Sequence, residues 1–164
     1  MAGKPLREVV IPKESAVFWL DARGRWHNEF GEIQHKRIKA MLDASIRRDK
    51  SGYHVFQING DVAEKVYFGY EDCALFVVDV VKNLSIMLVL NTRKRLKLKP
   101  RRLFMRNDAL YMDMLGEPIK FLDRALVKLS GILVWEGNKC FIRINNRRYA
   151  IKERKPCSFS KNGI

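Results

Sequence analysis

Between Arg93 and Arg106 the chain carries eight cations, Arg93, Lys94, Arg95, Lys97, Lys99, Arg101, Arg102 and Arg106, and no carboxylate. A run of this kind can hold anions by charge alone. Arg95, Leu96, Lys97, Leu98 and Lys99 alternate strictly, which in a strand puts the cations on one face and the leucines on the other. Same-side residues then lie about 6.5–7 Å apart, from a rise of about 3.3 Å per residue, close to the phosphate spacing along one nucleic-acid strand. No base-reading aromatic pair shares the strip, so the binding expected of it is electrostatic and indifferent to sequence. The residues expected to bind an anion are Arg93, Arg95, Lys97, Lys99, Arg101 and Arg102. The competing expectation is a solvated sheet edge, where lysines block edge-to-edge pairing.

A second group mixes charge types. Arg48, Asp49 and Tyr53 fall at one turn, and Glu71-Asp72 follows two strands later. A guanidinium, carboxylates and a phenol could together bind a small polar ligand. Alternatively, Asp49 closes its turn and Tyr53 packs across the hairpin. Glu71 and Asp72 as a general acid/base pair would need side chains that converge, whereas neighbours on a strand point apart. His27, Glu32 and His35 contain metal-ligand types but not the four-ligand spacing of a structural zinc site. Ser15, Ser45, Ser85 and Ser130 lack a nucleophile-elbow context. No phosphate-loop or dinucleotide glycine pattern is present. Cys73, Cys140 and Cys157 are odd in number and widely spaced, and Cys73 and Cys140 sit among apolar residues as small core hydrophobes would. No catalytic residue, metal or cofactor is therefore expected.

Several elements must position these groups. Phe18–Leu20 and Arg25–Phe30 read as a hairpin around Asp21-Ala22-Arg23-Gly24. A helix is predicted from about Gln34, with Ile38, Met41 and Leu42 as its apolar stripe. Strands are predicted over Tyr53–Ile58 and Glu64–Phe68, joined at Asn59-Gly60. Leu75–Val81 and Ile86–Leu90 are Val/Ile-rich runs expected to be central strands buried on both faces. Pro118 suits the first turn of a second helix whose stripe is Leu122, Ala125, Leu126 and Leu129. A three-strand meander follows, turning at Glu136-Gly137-Asn138 and Asn145-Asn146.

Two stretches share this order. Gly31 aligns with Gly116, and the strand endings Ile58-Asn59 with Ile144-Asn145. The expected fold is α+β, with two related hairpin-helix-hairpin units around central antiparallel strands. The expected divisions are an N-terminal arm (1–16), a first unit (17–91), a second unit (92–153) and a polar tail (154–164).

Trp19, Asp21, Gly24 and Trp26, then Arg48, Asp49, Gly52 and Tyr53, then Glu71, Asp72, Ala74 and Phe76 reproduce an ordered set of motifs. The set resembles the bacterial family called domain of unknown function 1285 (DUF1285). The likeness covers mainly Val17–Val81. It departs at Leu75, where the family usually has proline, and it does not extend to the basic stretch after Thr92. The resemblance implies a small α+β fold of repeated motifs, no established activity, and a suggested signalling or ligand-binding role.

The chain has 164 residues, is 47% apolar, and carries a formal charge of +14. It can bury a core, and its charge favours an anionic partner. It contains no run of about 18 uncharged apolar residues, so no membrane-spanning helix is expected. Unpaired cysteines and the lack of a secretory apolar segment lead us to expect a cytoplasmic protein. The function expected first is a non-enzymatic binding module, in signal transduction, for an unknown small ligand or protein. The alternative is sequence-nonspecific binding of nucleic acid or another polyanion through residues 93–106.

Overall fold

The computed structural model describes residues 3–156; of the expected tail, residues 154–156 fall within them and residues 157–164, with Cys157, lie outside. The described residues divide into two units. One holds the residues up to Phe76 with Leu90–Lys94, and the other holds Val77–Val89 and the residues from Arg95 onward.

The first unit runs through β1 (Arg7–Ile11), β2 (Phe18–Leu20), β3 (Trp26–Asn28), β4 (Gly31–Glu32), α1 (Lys36–Ala44), β5 (Ile46–Asp49), β6 (Gly52–Asn59), β7 (Val62–Tyr67) and β8 (Gly69–Tyr70). They form two four-stranded sheets, ordered β1-β7-β6-β5 and β4-β3-β2-β8. The turn after β2 is held by the Asp21 carboxylate, which accepts from the Arg23 and Arg25 backbone N–H groups at 2.8 and 2.9 Å. Gly24 completes it at φ +76°, where a Cβ would meet the Phe76 ring at 3.2 Å. Leu20, Trp26, Val55 and Phe76 are almost fully buried. The Trp26 ring meets Phe18 and Phe68 edge-on at 5.6 and 4.9 Å.

Helix α1 begins two residues later than predicted. His35 caps it, its Nδ1 accepting from the Ile38 N–H at 3.4 Å. Of the expected stripe only Leu42 is buried; Ile38 and Met41 are 42% and 46% exposed. The buried Trp26 indole N–H explains the rotation. It needs an acceptor, and Asp43 provides one at 2.8 Å, so Leu42 and Asp43 turn inward together.

The second unit includes most of β9 (Leu75–Lys82) and β10 (Ile86–Leu90), then β11 (Arg95–Lys97), β12 (Leu103–Arg106), β13 (Ala109–Met114), β14 (Glu117–Phe121), α2 (Asp123–Leu129), β15 (Leu133–Glu136), β16 (Lys139–Ile144) and β17 (Arg147–Glu153). The strands join in the order β11-β10-β9-β14-β13-β12-β17-β16-β15. β10 and β11, β12 and β13, β13 and β14, β15 and β16, and β16 and β17 pair antiparallel, whereas β12 and β17 run parallel. Asn107-Asp108 and Asn145-Asn146 turn with positive φ at both positions, the geometry that favours Asn and Asp in two-residue hairpins. In β9, Phe76, Val77 and Val80 are buried, but Val78, Asp79 and Val81 are only half-buried, so burial on both faces is partial.

Pro118 lies in β14 opposite Asp113, not in a helix. Ile119 and Phe121 are buried while Lys120 between them is not, so the period of two persists to Phe121. Helix α2 follows with Ala125 and Leu129 buried and Leu126 half-buried. Arg124 and Lys128 tie it to β9 through Asp79, with Arg124 Nη2 at 3.4 Å.

The protein is thus a strand-dominated α+β molecule. Each unit presents three strands, a helix and three strands in sequence (β2–β7 with α1; β12–β17 with α2). The pairing differs. In the first unit the two strand triplets belong to separate sheets, whereas β12 and β17 join the triplets of the second.

Candidate functional site

The basic strip keeps its sidedness. On β11, Arg95 and Lys97 are exposed opposite Val89 and Met87, Leu96 is half-buried, and Leu98 beyond the strand is buried. The strand stops at Lys97, two residues before the alternation does. Leu98 still donates to the Ile86 carbonyl at 2.9 Å, and Lys99 then leads into a single 3₁₀ turn, Pro100–Arg102. Proline sets the φ for that turn and has no N–H to continue the ladder. Arg93 lies in the turn between β10 and β11 at φ +68° and belongs to the first unit.

Charges from elsewhere join Lys97 and Arg101. One depression of about 530 Å³ is lined by Arg101, Arg147, Arg148, Tyr149 and Lys152, with Ala150. A second, of about 360 Å³, has Lys97 and Arg143 on its walls and shares Tyr149 with the first. Neither lining contains a carboxylate. The two therefore meet at Tyr149, along a path of six cations.

Their local geometry suits anion capture. Arg143 and Arg148 stand directly opposite each other on β16 and β17, a like-charge pairing that costs stability. Arg148 is relieved by Glu136, which takes both guanidinium nitrogens, and by the Phe141 ring 4.1 Å beneath it. No described carboxylate pairs with Lys97, Arg101, Arg143, Arg147 or Lys152. Arg101 lies 5.8 Å from the Tyr149 ring centre. A guanidinium resting on an aromatic face keeps its in-plane N–H edge available for a phosphate.

Sequence reasoning identified Lys97 and Arg101 but passed over Arg143, Arg147, Arg148 and Lys152. Arg147-Arg148 beside Lys152 is the signal in the sequence that points to them. Arg95, Lys99 and Arg102 are exposed but line neither depression.

The mixed-charge group of the first unit is divided. Arg48 pairs with Tyr53 across β5 and β6, so both side chains share one face of that sheet, whereas Asp49 points to the other. Arg48 lies 5.8 Å from the Tyr53 ring, which is buried and meets Tyr70 edge-on. Asp49 accepts from the Tyr67 hydroxyl at 2.7 Å and lies near Lys65 and His54, at 3.6 and 3.8 Å. The Tyr67 hydroxyl, with the Ser51 N–H and these two neighbours, holds the Asp49 carboxyl below its ordinary range. Glu71 accepts from the Ala22 N–H at 3.0 Å, and Asp72 follows in the same bend, half-buried.

The metal-ligand types are likewise dispersed. His27 Nε2 is 2.8 Å from Asp21, Glu32 faces Arg25 at 3.6 Å, and His35 caps α1. Burial works against the Asp21 charge, but the Arg25, His27 and Arg23 hydrogen bonds outweigh it and keep the carboxyl low. No group of three His, Cys, Asp or Glu among the described residues could hold a metal. Cys73 and Cys140 are buried thiols, Cys73 donating to the Leu75 carbonyl at 3.4 Å, and burial pushes the Cys140 thiol up. No described helix is long and apolar enough to cross a membrane.

No family model and no curated protein matches the sequence. Solved structures match its fold. A DUF1285 family protein from Silicibacter pomeroyi DSS-3 matches with a TM-score of 0.58 and 11% identity, over 89% of this chain and 84% of that one. The chain has the DUF1285 fold. A second DUF1285 protein, from Shewanella baltica OS155, matches at a TM-score of 0.50 and 16% identity, over 73% of this chain and 94% of that one. The resemblance read from the Trp19–Phe76 motifs is thus borne out at the level of the DUF1285 fold.

Proposed function

We propose that the chain is a binding module whose second unit holds nucleic acid by its phosphates, without reading its sequence. The observation that carries this is the pair of depressions meeting at Tyr149, lined by Lys97, Arg101, Arg143, Arg147, Arg148 and Lys152 and by no carboxylate. Arg143 supports it, because it stands opposite another arginine and no described carboxylate pairs with it, so an anion would offset that like-charge contact. Six cations spread over two adjoining depressions suit a polymer better than a single small ligand. The mixed-charge group favours a small-ligand reading less, since Asp49 faces away from Arg48 and Tyr53.

A cytoplasmic setting belongs to the same proposal and agrees with cysteines held as buried thiols at positions 73 and 140. So does descent of the two units from one duplicated element, which their shared strand-helix-strand order favours. Superposition of the two units in an experimental structure tests that descent, and helices with unrelated surroundings would refute it.

The test of binding is fluorescence anisotropy of a labelled oligonucleotide at fixed salt. Lys97, Arg101 and Arg147 are changed together to Ala in one variant. In a control, exposed Lys36, Arg37 and Lys50 of the first unit are changed to Ala, with the same loss of charge. Binding lost by the first variant and kept by the second supports the site. Equal weakening in both would mean that net charge alone attracts the polymer.

A further inference from the structure

The two depressions differ in a way that phosphate binding does not explain. The one beside Lys97 and Arg143 is walled by Leu84, Ile86, Ile132 and Ile144. A phosphate backbone has no use for an aliphatic wall. The polar groups around the same cleft, Asn83, Ser85 and Asn145, are uncharged amides and a hydroxyl that both donate and accept. Such groups match the edge of a nucleobase, while apolar side chains match its face. The volume, about 360 Å³, is at the low end of the roughly 300–1,000 Å³ usual for small-ligand sites. A nucleoside is therefore a fitting occupant and a double helix is not. Leu84 stands fully exposed on the rim, in the bend between β9 and β10, where it is free to lie against an inserted ring.

We infer that the ligand is a single-stranded nucleic acid, one base of which leaves the stack and enters this cleft while its phosphates run past Tyr149 over Arg101, Arg147 and Lys152. This rests on the proposed phosphate-binding reading and adds strandedness to it. A duplex keeps its bases paired and can use only the cationic path. A single strand can use both.

The test compares three labelled probes of equal length at one salt concentration: a single strand, the corresponding duplex, and a single strand of abasic sugar-phosphate. The single strand is expected to bind about tenfold more tightly than either of the others, within the range that stacking of one base provides. Leu84→Ala, a change at an exposed position with little bearing on folding, should reduce this preference and leave duplex binding unchanged. If duplex and abasic probes bind as well as the single strand, base insertion is refuted and phosphate binding stands. If none of the three binds, both fall.

Discussion

Asp43 offers a decisive test of how the first unit is held together. Its carboxylate accepts from the buried Trp26 indole at 2.8 Å, and burial raises its pKa from 3.8 to about 6, against the lowering influence of Trp26, Asn91 and Lys39. The folded state therefore binds a proton there more tightly than the unfolded chain does. The resulting stability is fully present below pH 3.8 and is lost as pH rises through about 6. Above that, a charge held in this site costs about 3 kcal/mol, from roughly 1.4 kcal/mol per pH unit of pKa change. Asp43→Asn removes the charge while keeping an acceptor for Trp26. Its new amide N–H has no assured partner, which offsets about 1–2 kcal/mol of the gain. The expected net effect is stabilisation by about 1–2 kcal/mol at pH 7.5 and none, or a loss, at pH 4.5. Urea denaturation followed by tryptophan fluorescence at both pH values measures it. The difference between variant and wild type isolates Asp43 from the low-pKa carboxylates Asp21 and Asp113, which titrate alike in both proteins. A variant destabilised equally at both pH values would refute the reasoning and make the Asp43 carboxylate a net stabilising group.

Leu129→Ala should cost about 2–5 kcal/mol, because the side chain is wholly buried, and Leu126→Ala clearly less; their urea midpoints check the order. Gly24→Ala should destabilise by about 1–2 kcal/mol, since a left-handed φ and the Phe76 ring both oppose a methyl group there. Thermal unfolding reads that loss directly. Glu136→Gln should release Arg148 and tighten oligonucleotide binding, steepening the plot of log affinity against log salt by up to about 0.7 for a single strand; anisotropy titrations at several salt concentrations test it.

What the sequence made legible was local. Alternation in Arg95–Leu98 and turn chemistry at Asn145-Asn146 depend on near neighbours, and both appear in the structure. The missed features depend on distant partners. Nothing near Ile38 and Met41 reveals that Trp26 needs Asp43 as an acceptor, so the α1 stripe was placed on the wrong face. Lys128, off the Leu122–Leu129 stripe of α2, reaches Asp79 far back in the chain, a pairing that no local pattern announces. The candidate site shows the same division. Its Lys97–Arg101 half lies in one conspicuous run, while the other half arrives from β16 and β17, whose cations are spread among Phe141, Ile142, Tyr149 and Ile151. The split of Arg48 from Asp49 follows from β5 continuing to Asp49, which sends adjacent residues to opposite faces.

The salt dependence of single-strand binding by the unaltered protein tests the central claim most directly. Three to six phosphate contacts at about 0.7 each predict a slope of about −2 to −4 in log affinity against log salt. Oligonucleotides of different base sequence should give the same slope and similar affinities. No binding near 50 mM salt, or binding that is insensitive to salt, would contradict the account.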